Sequence, residues 1–321
     1  MQEEKEEITT AEATPRRRRI MLILAYDGTN YCGFAAQKDE AVPTIEGAVN
    51  RALKELTGEE IEVTGASRTD SGVHALCNYC VFDTLSKIPA DRFANALNAK
   101  LPEDIVVRKS RDVDPSFSPR GARTEKTYVY RIYCGKFPQP LLARYAAYTW
   151  FHLDIARMQE AAGYLVGEHD FKSFCNVATG TKTTVRTITK ILVEEEREPL
   201  PRIMLSRKHT IAAEDEAKLV SITVTGRGFL YNMVRIIAGT LIEVGRGARK
   251  PEEVAGILQA RDRRAAGPTA PAAGLILVSY QFLEDPHLAR PVATEKAAYP
   301  AETVKEEERE MPRVPSDTAG D

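Results

Sequence analysis

The feature that most constrains this chain is the order in which two hydrophobic periodicities alternate along it. Short apolar or alternating runs suit strands, and stripes repeating every three to four residues suit helices. In the first half, Ile20–Ala25 is an apolar run ending at the Asp27-Gly28 turn signal. A helix is predicted from Thr44, a good N-cap, to Gly58 as its stop, with Ile45, Val49, Leu53 and Leu56 as its stripe. Ile61–Thr64 and Leu76–Phe82 read as strands around a polar loop, Ser67–His74. Ala90–Lys100 reads as a helix with Phe93 and Leu97 on one face, and Ile105–Val107 as a further strand. The order is β-α-β-β-α-β, the ferredoxin-like arrangement.

The second half repeats it. Thr127–Cys134 alternates as a strand, and Asp154 caps a helix carrying Ile155, Met158, Ala162 and Leu165, closed by Gly167. Val185–Val193 and Leu219–Val224 read as strands joined by a charged connection, Glu194–Lys218, which is long for a hairpin. Leu230, Val234, Ile237, Leu241 and Val244 form a strong helical stripe ending at Gly245. Pro251 with Glu252 and Glu253 begins a shorter helix, and Leu275–Phe282 is the last strand. The expected fold class is α+β: two ferredoxin-like, RRM-like halves whose antiparallel sheets are flanked by helices. The expected boundaries are an acidic disordered tail at 1–17, an α+β domain at 18–120, a second at 121–284, and another acidic tail at 285–321.

Charge distribution matters more than total charge. The net charge is −2, but residues 16–283 hold 38 basic against 31 acidic side chains. A basic body between acidic tails is compatible with a nucleic-acid partner and also with ordinary surface variation. Five scattered cysteines do not form a disulfide framework, so reduced thiols are expected. Cys77-Asn-Tyr-Cys80 has metal-pair spacing but lies in a predicted strand, where residues three apart face opposite ways. Gly226-Arg-Gly228 lacks the third glycine of a dinucleotide fingerprint. The five histidines show no ligand spacing. No apolar run approaches a membrane span, and the N-terminus is unlike a signal or transit peptide, so a cytoplasmic protein is expected.

One segment remains for chemistry: Ser67-Arg68-Thr69-Asp70-Ser71-Gly72-Val73-His74. A nearby cation favours an ionised carboxylate, and a loop tip can present it to a substrate. On its own residues the segment reads first as a strand-connecting turn with an ordinary Arg–Asp ion pair, and second as a presented carboxylate.

The wider sequence adds weight to the second reading. This segment resembles the Arg-Thr-Asp-x-Gly-Val-His core of the TruA family of tRNA pseudouridine synthases. Tyr26-Asp27-Gly28-Thr29-x-Tyr31-x-Gly33-Phe34 is similar to that family's opening motif. Asn95-Ala-Leu-Asn98 with Leu101-Pro102-x-Asp104-Ile105, Phe117-Ser-Pro-Arg120, and Lys126-Thr-Tyr128-x-Tyr130 resemble later segments in order. So do Gly167-x-His169-Asp170-Phe171-x-Ser173-Phe174, Arg186-Thr-Ile188, Phe229-Leu-Tyr-Asn-Met233-Val234-Arg235-x-Ile237-x-Gly239 and Ala273-Gly274-Leu275. The likeness spans roughly residues 19–283. Departures are Phe34 where Trp is usual, Ala35-Ala36 where polar residues are usual, and Phe117-Ser-Pro-Arg120 in place of a Phe-His form.

The resemblance implies isomerisation of uridine to pseudouridine in the anticodon arm of tRNA, in a cleft between the halves, with no metal and no organic cofactor. It implies Asp70 as nucleophile or charge stabiliser of the first step. Arg68 is implied as Asp70's partner and as a filler of the space a flipped base leaves. Tyr128 is the implied stacking partner of the target uracil, and Arg235 a cation beside Asp70. The residues alone leave Tyr128 open as core filler and Arg235 open as a snorkelling side chain. Candidate phosphate contacts are Arg16–Arg19, Arg120, Arg123, Lys126 and Arg246. A homodimer binding tRNA across both subunits is also implied. The competing readings are a non-catalytic RNA-binding relative of the same fold and an unrelated aspartate hydrolase. The latter would need a second acid near Asp70, which the loop lacks.

Overall fold

A computed structural model describes residues 17–39, 41–176, 183–196 and 217–284. The expected tails up to Arg16 and from residue 285 onward, and most of the connection between residues 194 and 218, lie outside the described residues.

The first half contains β1 (Arg18–Tyr26), α1 (Ile45–Thr57), β2 (Thr64–Gly65), β3 (His74–Thr84), α2 (Phe93–Asn98) and β4 (Ile105–Val113). The second contains β5 (Thr124–Cys134), β6 (Ala147–Thr149), α3 (Ile155–Gly163), β7 (Gly167–Asp170), β8 (Val185–Glu195), β9 (Lys218–Arg227), α4 (Met233–Gly245), α5 (Glu253–Ala260) and β10 (Leu275–Phe282). Helix α1 begins where its cap predicts: the Thr44 hydroxyl accepts from the Gly47 N–H, and Gly58 closes the helix at φ 75°.

The expected α+β class is what the molecule adopts, with one addition. All ten strands form one sheet in the order β4-β1-β3-β10-β5-β9-β8-β7, with β2 on β3 and β6 on β5. The neighbours pair antiparallel except β5–β6 and β3–β10. The β3–β10 pairing, Ile276 opposite His74 and Leu277 opposite Ala75, welds the two halves into a single sheet. It places the start of the last strand beside the end of the Ser67–His74 loop.

Among the element boundaries that differ from expectation, four have a local cause. Ile61 and Val63 are buried but not in a strand, because the Val63 N–H is taken by the Asn50 side chain of α1 at 3.0 Å. The helix predicted over Ala90–Lys100 opens with a 3-10 turn, leaving α2 only Phe93–Asn98. Gly167 does not close α3; it starts β7, with φ 116°. Helix α4 starts at Met233 rather than Leu230, because Asn232 is left-handed at φ 61° and a right-handed helix cannot run through it.

Candidate active site

The loop carrying Asp70 is fixed by the opening motif around residues 26–34. Phe34 N–H donates to the Thr69 carbonyl at 3.1 Å, and Gly72 N–H donates to the Tyr31 carbonyl at 3.1 Å. The Tyr26 and Thr69 hydroxyls lie 2.7 Å apart. Asn78 is fully buried on β3 and donates both to the Tyr26 hydroxyl, at 3.0 Å, and to the Ser67 carbonyl, at 2.9 Å. Two glycines permit the close approach of the chains. A Cβ on Gly28 would lie 2.1 Å from the Val73 carbonyl oxygen, and one on Gly33, at φ 94°, would lie 2.8 Å from that of Thr69. Within this cradle the loop turns at Asp70, whose carbonyl accepts from Val73 N–H at 3.1 Å.

That turn aims the Asp70 side chain across the seam at the second half. The opposite wall is the segment between β9 and α4, where Phe229, Leu230 and Tyr231 lead to the left-handed Asn232. Asparagine tolerates this conformation better than most residues. Here it turns its backbone N–H toward the Asp70 carboxylate. Its side-chain oxygen accepts from Arg235 Nη1 at 2.9 Å, and Arg235 Nε donates to the Ala270 carbonyl at 2.7 Å. Burial lifts the Asp70 carboxyl above the ordinary carboxylate range, while the Arg235 charge and the Asn232 N–H pull it back down.

Between these walls lies a cavity of about 740 Å³, lined by Asp70, Arg68, Tyr128, Phe229, Tyr231 and Leu275 among others. Its size and mixed lining suit a nucleoside-sized ligand. The Tyr128 ring is held edge-on to Phe229, centroids 5.1 Å apart. Its hydroxyl lies 3.3 Å from Ser67 Oγ, and its pKa is pushed up to about 12, chiefly by burial. It is therefore a neutral hydroxyl at ordinary pH. Lys126, one pleat before Tyr128 on the same face of β5, donates to Ser67 Oγ at 3.3 Å.

With this geometry in view, comparison with known proteins is informative. A family model described as tRNA pseudouridine synthase matches residues 22–120 and 161–282. A "tRNA pseudouridine synthase A" from Acetivibrio thermocellus is 44% identical over 265 residues, covering 83% of this chain and 100% of the relative. A "tRNA pseudouridine synthase A 2" from Clostridium tetani is 45% identical over 260 residues, 81% of this chain and 97% of the relative. A "tRNA pseudouridine synthase A" from Brevibacillus brevis is 45% identical over 260 residues, 81% of this chain and 98% of the relative.

This chain belongs to the tRNA pseudouridine synthase family.

The residues singled out for a tRNA pseudouridine synthase divide into three groups in the structure. Asp70, Arg68 and Tyr128 line one cavity, with Arg120 and Lys126 at its edge and Arg235 behind Asn232. The expected Arg68–Asp70 ion pair is absent. Thr69 is clamped between Tyr26 and Phe34, so the turn at Asp70 sends its carboxylate inward and leaves Arg68 exposed. The cation that acts on Asp70 is Arg235, through its charge and without a direct ion pair, since its guanidinium is committed to Asn232 and Ala270.

The remaining basic residues part ways. Arg19 grips Asp83 through two bonds of 2.7 Å and donates to the Phe117 carbonyl, and Arg18 lies against Asp112 and the Phe93 ring, so these two are strand fasteners rather than a free arm. Arg246 sits at the far end of α4, about 21 Å from Asn232 along the helix, over the Phe151 ring and beside Glu243. Arg123 is exposed and pairs with Glu284 at 3.2 Å. Sequence reasoning gave no role to Asn232, Phe229, Ser67 or Asn78, though all but Asn78 fall inside the motifs quoted above. Only Asn232 carried a local signal, a left-handed-tolerant residue just before a strong helix.

Proposed function

We propose that this chain isomerises uridine to pseudouridine in the anticodon arm of tRNA, with Asp70 as the group that attacks or stabilises the sugar carbon when the N1–C1′ bond breaks. The observation that carries this reading is the placement of the Asp70 carboxylate opposite the Tyr128 ring in one cleft. The freed uracil rotates against Tyr128 and Phe229 and rejoins C1′ through C5, displacing Asp70 where it has bonded to that carbon; the C5 proton leaves to solvent and N1 takes one up. No atom is gained and no electron pair is transferred to an outside acceptor.

A base inside a stem must first be extruded, at a cost of a few kcal/mol. A flat apolar wall offsets the lost stacking. Tyr128 supplies that wall, and Arg68, exposed at the mouth, is placed to fill the vacated stack. Arg235 and the Asn232 N–H oppose the burial that lifts the Asp70 carboxyl, and so favour its anionic form. We also read the chain as a homodimer with two α+β domains per copy. Phe137, Leu141, Tyr148 and Trp150 are all exposed in and around β6, the two most exposed being Phe137 at 66% and Trp150 at 68%, and a second copy is the natural cover for such a patch. Among the described residues no helix is long and apolar enough to cross a membrane, and we take the cytoplasm, where tRNA is modified, as its place.

The test is release of tritium from tRNA made with 5-tritiated uridine, with no added cofactor. Release matching pseudouridine formation supports the reaction. Tight tRNA binding without release supports instead a binding-only relative of the fold.

A further inference from the structure

A second chamber, about 400 Å³, opens beside the active-site cleft. Five cationic residues line it, Arg120, Arg123, Lys126, Arg186 and Arg227, and among the described lining residues there is no carboxylate. Sheet register assembles three of them from distant parts of the chain. Lys126 on β5 lies opposite Gly226 on β9, and the next residue of β9, Arg227, lies opposite Thr187, the neighbour of Arg186 on β8. Arg120 and Arg123 arrive from the segment between β4 and β5.

Neutral groups hold most of these side chains. Arg186 Nη1 donates to the Thr183 and Val185 carbonyls at 3.0 and 2.6 Å. Arg120 Nε donates to the Gly65 carbonyl at 3.1 Å. Lys126 donates to Ser67 Oγ and lies 4.9 Å over the Tyr280 ring. Among the described residues the single acid engaged is Glu284, which meets Arg123 out at the surface. Burial pulls the Lys126 pKa down to about 8, the mark of an amine kept in a half-dry place without a carboxylate beside it. Like charges gathered in one concavity focus a field that concentrates anions, and the guanidinium fork matches a phosphate group in particular.

The chamber is continuous with the cleft, since Ala66, Arg120 and Lys126 line both. A uridine with its base against Tyr128 remains tied into its strand by a phosphodiester on each side, and that strand must leave the cleft. We propose that the Arg120–Arg123–Lys126–Arg186–Arg227 chamber seats the backbone phosphodiesters of the RNA strand next to the flipped uridine. This rests on the reading of the cleft as a uridine site. It adds a direction for the strand, out of the cleft over β5 and along the β8–β9 edge, and it assigns Arg186 and Arg227 to RNA.

The test counts phosphate contacts on the full chain. Binding of a fluorescent anticodon-arm RNA is measured across a salt series, where log K falls against log salt with a slope of roughly 0.7 to 0.9 per phosphate neutralised. The double variant Arg186→Gln, Arg227→Gln is expected to flatten that slope by about 1.5, two contacts' worth, and to weaken binding about tenfold at the lowest salt. Arg92→Gln, an exposed cation outside both cavities, is expected to change neither. A scan of single neutral methylphosphonates along the RNA should find one or two positions that reproduce the flattening in wild type and add nothing in the double variant. An unchanged slope in the double variant, or methylphosphonate effects that add in full to it at every position, overturns the chamber. The readout is binding, so it stands apart from catalysis: wild type that forms no pseudouridine yet shows this coupling retains the chamber and loses the proposed reaction.

Discussion

The two halves share a strand order and divide the chemistry. In the first, strands run β4-β1-β3-β2; in the second, β10-β5-β9-β8, the same order of fourth, first, third and second. Yet the first half contributes the carboxylate, on a loop held by neutral hydrogen bonds from Tyr26, Phe34 and Asn78. The second contributes the aromatic face, the left-handed Asn232 and Arg235, the cation whose charge acts on Asp70. The contrast shows that topology alone places no chemistry. The site exists at the seam where β3 and β10 pair in parallel, because that pairing turns one loop of each half toward the other. The first wall is rigid by hydrogen bonding, and the second tunes the charge.

That division can be broken from either side. After the carboxylate itself, the largest effect is expected from Gly28→Ala, which drives a methyl into the Val73 carbonyl. Loop displacement on the scale of an ångström costs about 100-fold in rate, and the overpacking costs about 1–3 kcal/mol of stability; both are read by single-turnover assay and thermal melting. Arg235→Gln attacks the other wall. With its cation gone, Asp70 should titrate higher still, moving the acid limb of the pH–rate profile upward with little change in tRNA affinity. Tyr26→Phe leaves the Thr69 hydroxyl and the Asn78 amide each short of a partner, for about 1–3 kcal/mol in a denaturant titration and a fall in kcat greater than any rise in KM.

The smallest expected effect concerns stability and pH. Burial raises the Asp70 pKa in the folded state, so the protonated form is favoured by folding. Its stabilising contribution is complete below the ordinary carboxylate pKa and is lost as pH rises through the lifted value. Asp70→Asn should therefore melt above wild type at pH 7, with the gap closing near pH 4. A variant that melts lower at pH 7 would mean that the second wall stabilises the anion more than burial penalises it.

Much of this was legible in the sequence, for reasons that are local. Helix α1 carries its own start and stop in Thr44 and Gly58, and β10 spans Leu275–Phe282 as its apolar run predicts. Motif resemblance placed Asp70 and Tyr128, and they line one cavity. What stayed hidden depends on partners distant in the chain. Short β6 and β7 have no pattern of their own and exist because β5 and β8 offer edges. The β3–β10 weld is a pairing across some 200 residues. Arg68 two residues from Asp70 looked like an ion pair, and only the clamp on Thr69 separates them. Arg18 and Arg19 looked like part of a basic arm because the sequence does not display Asp83 and Asp112 across the sheet.

Single-turnover pseudouridine formation by Asp70→Asn, at saturating tRNA and with tRNA affinity measured on the same preparation, is the most direct test of the whole account. A rate lowered by about 1,000-fold or more, with affinity within a few-fold of wild type, is the result it predicts. Pseudouridine formed by that variant at the wild-type rate would contradict it.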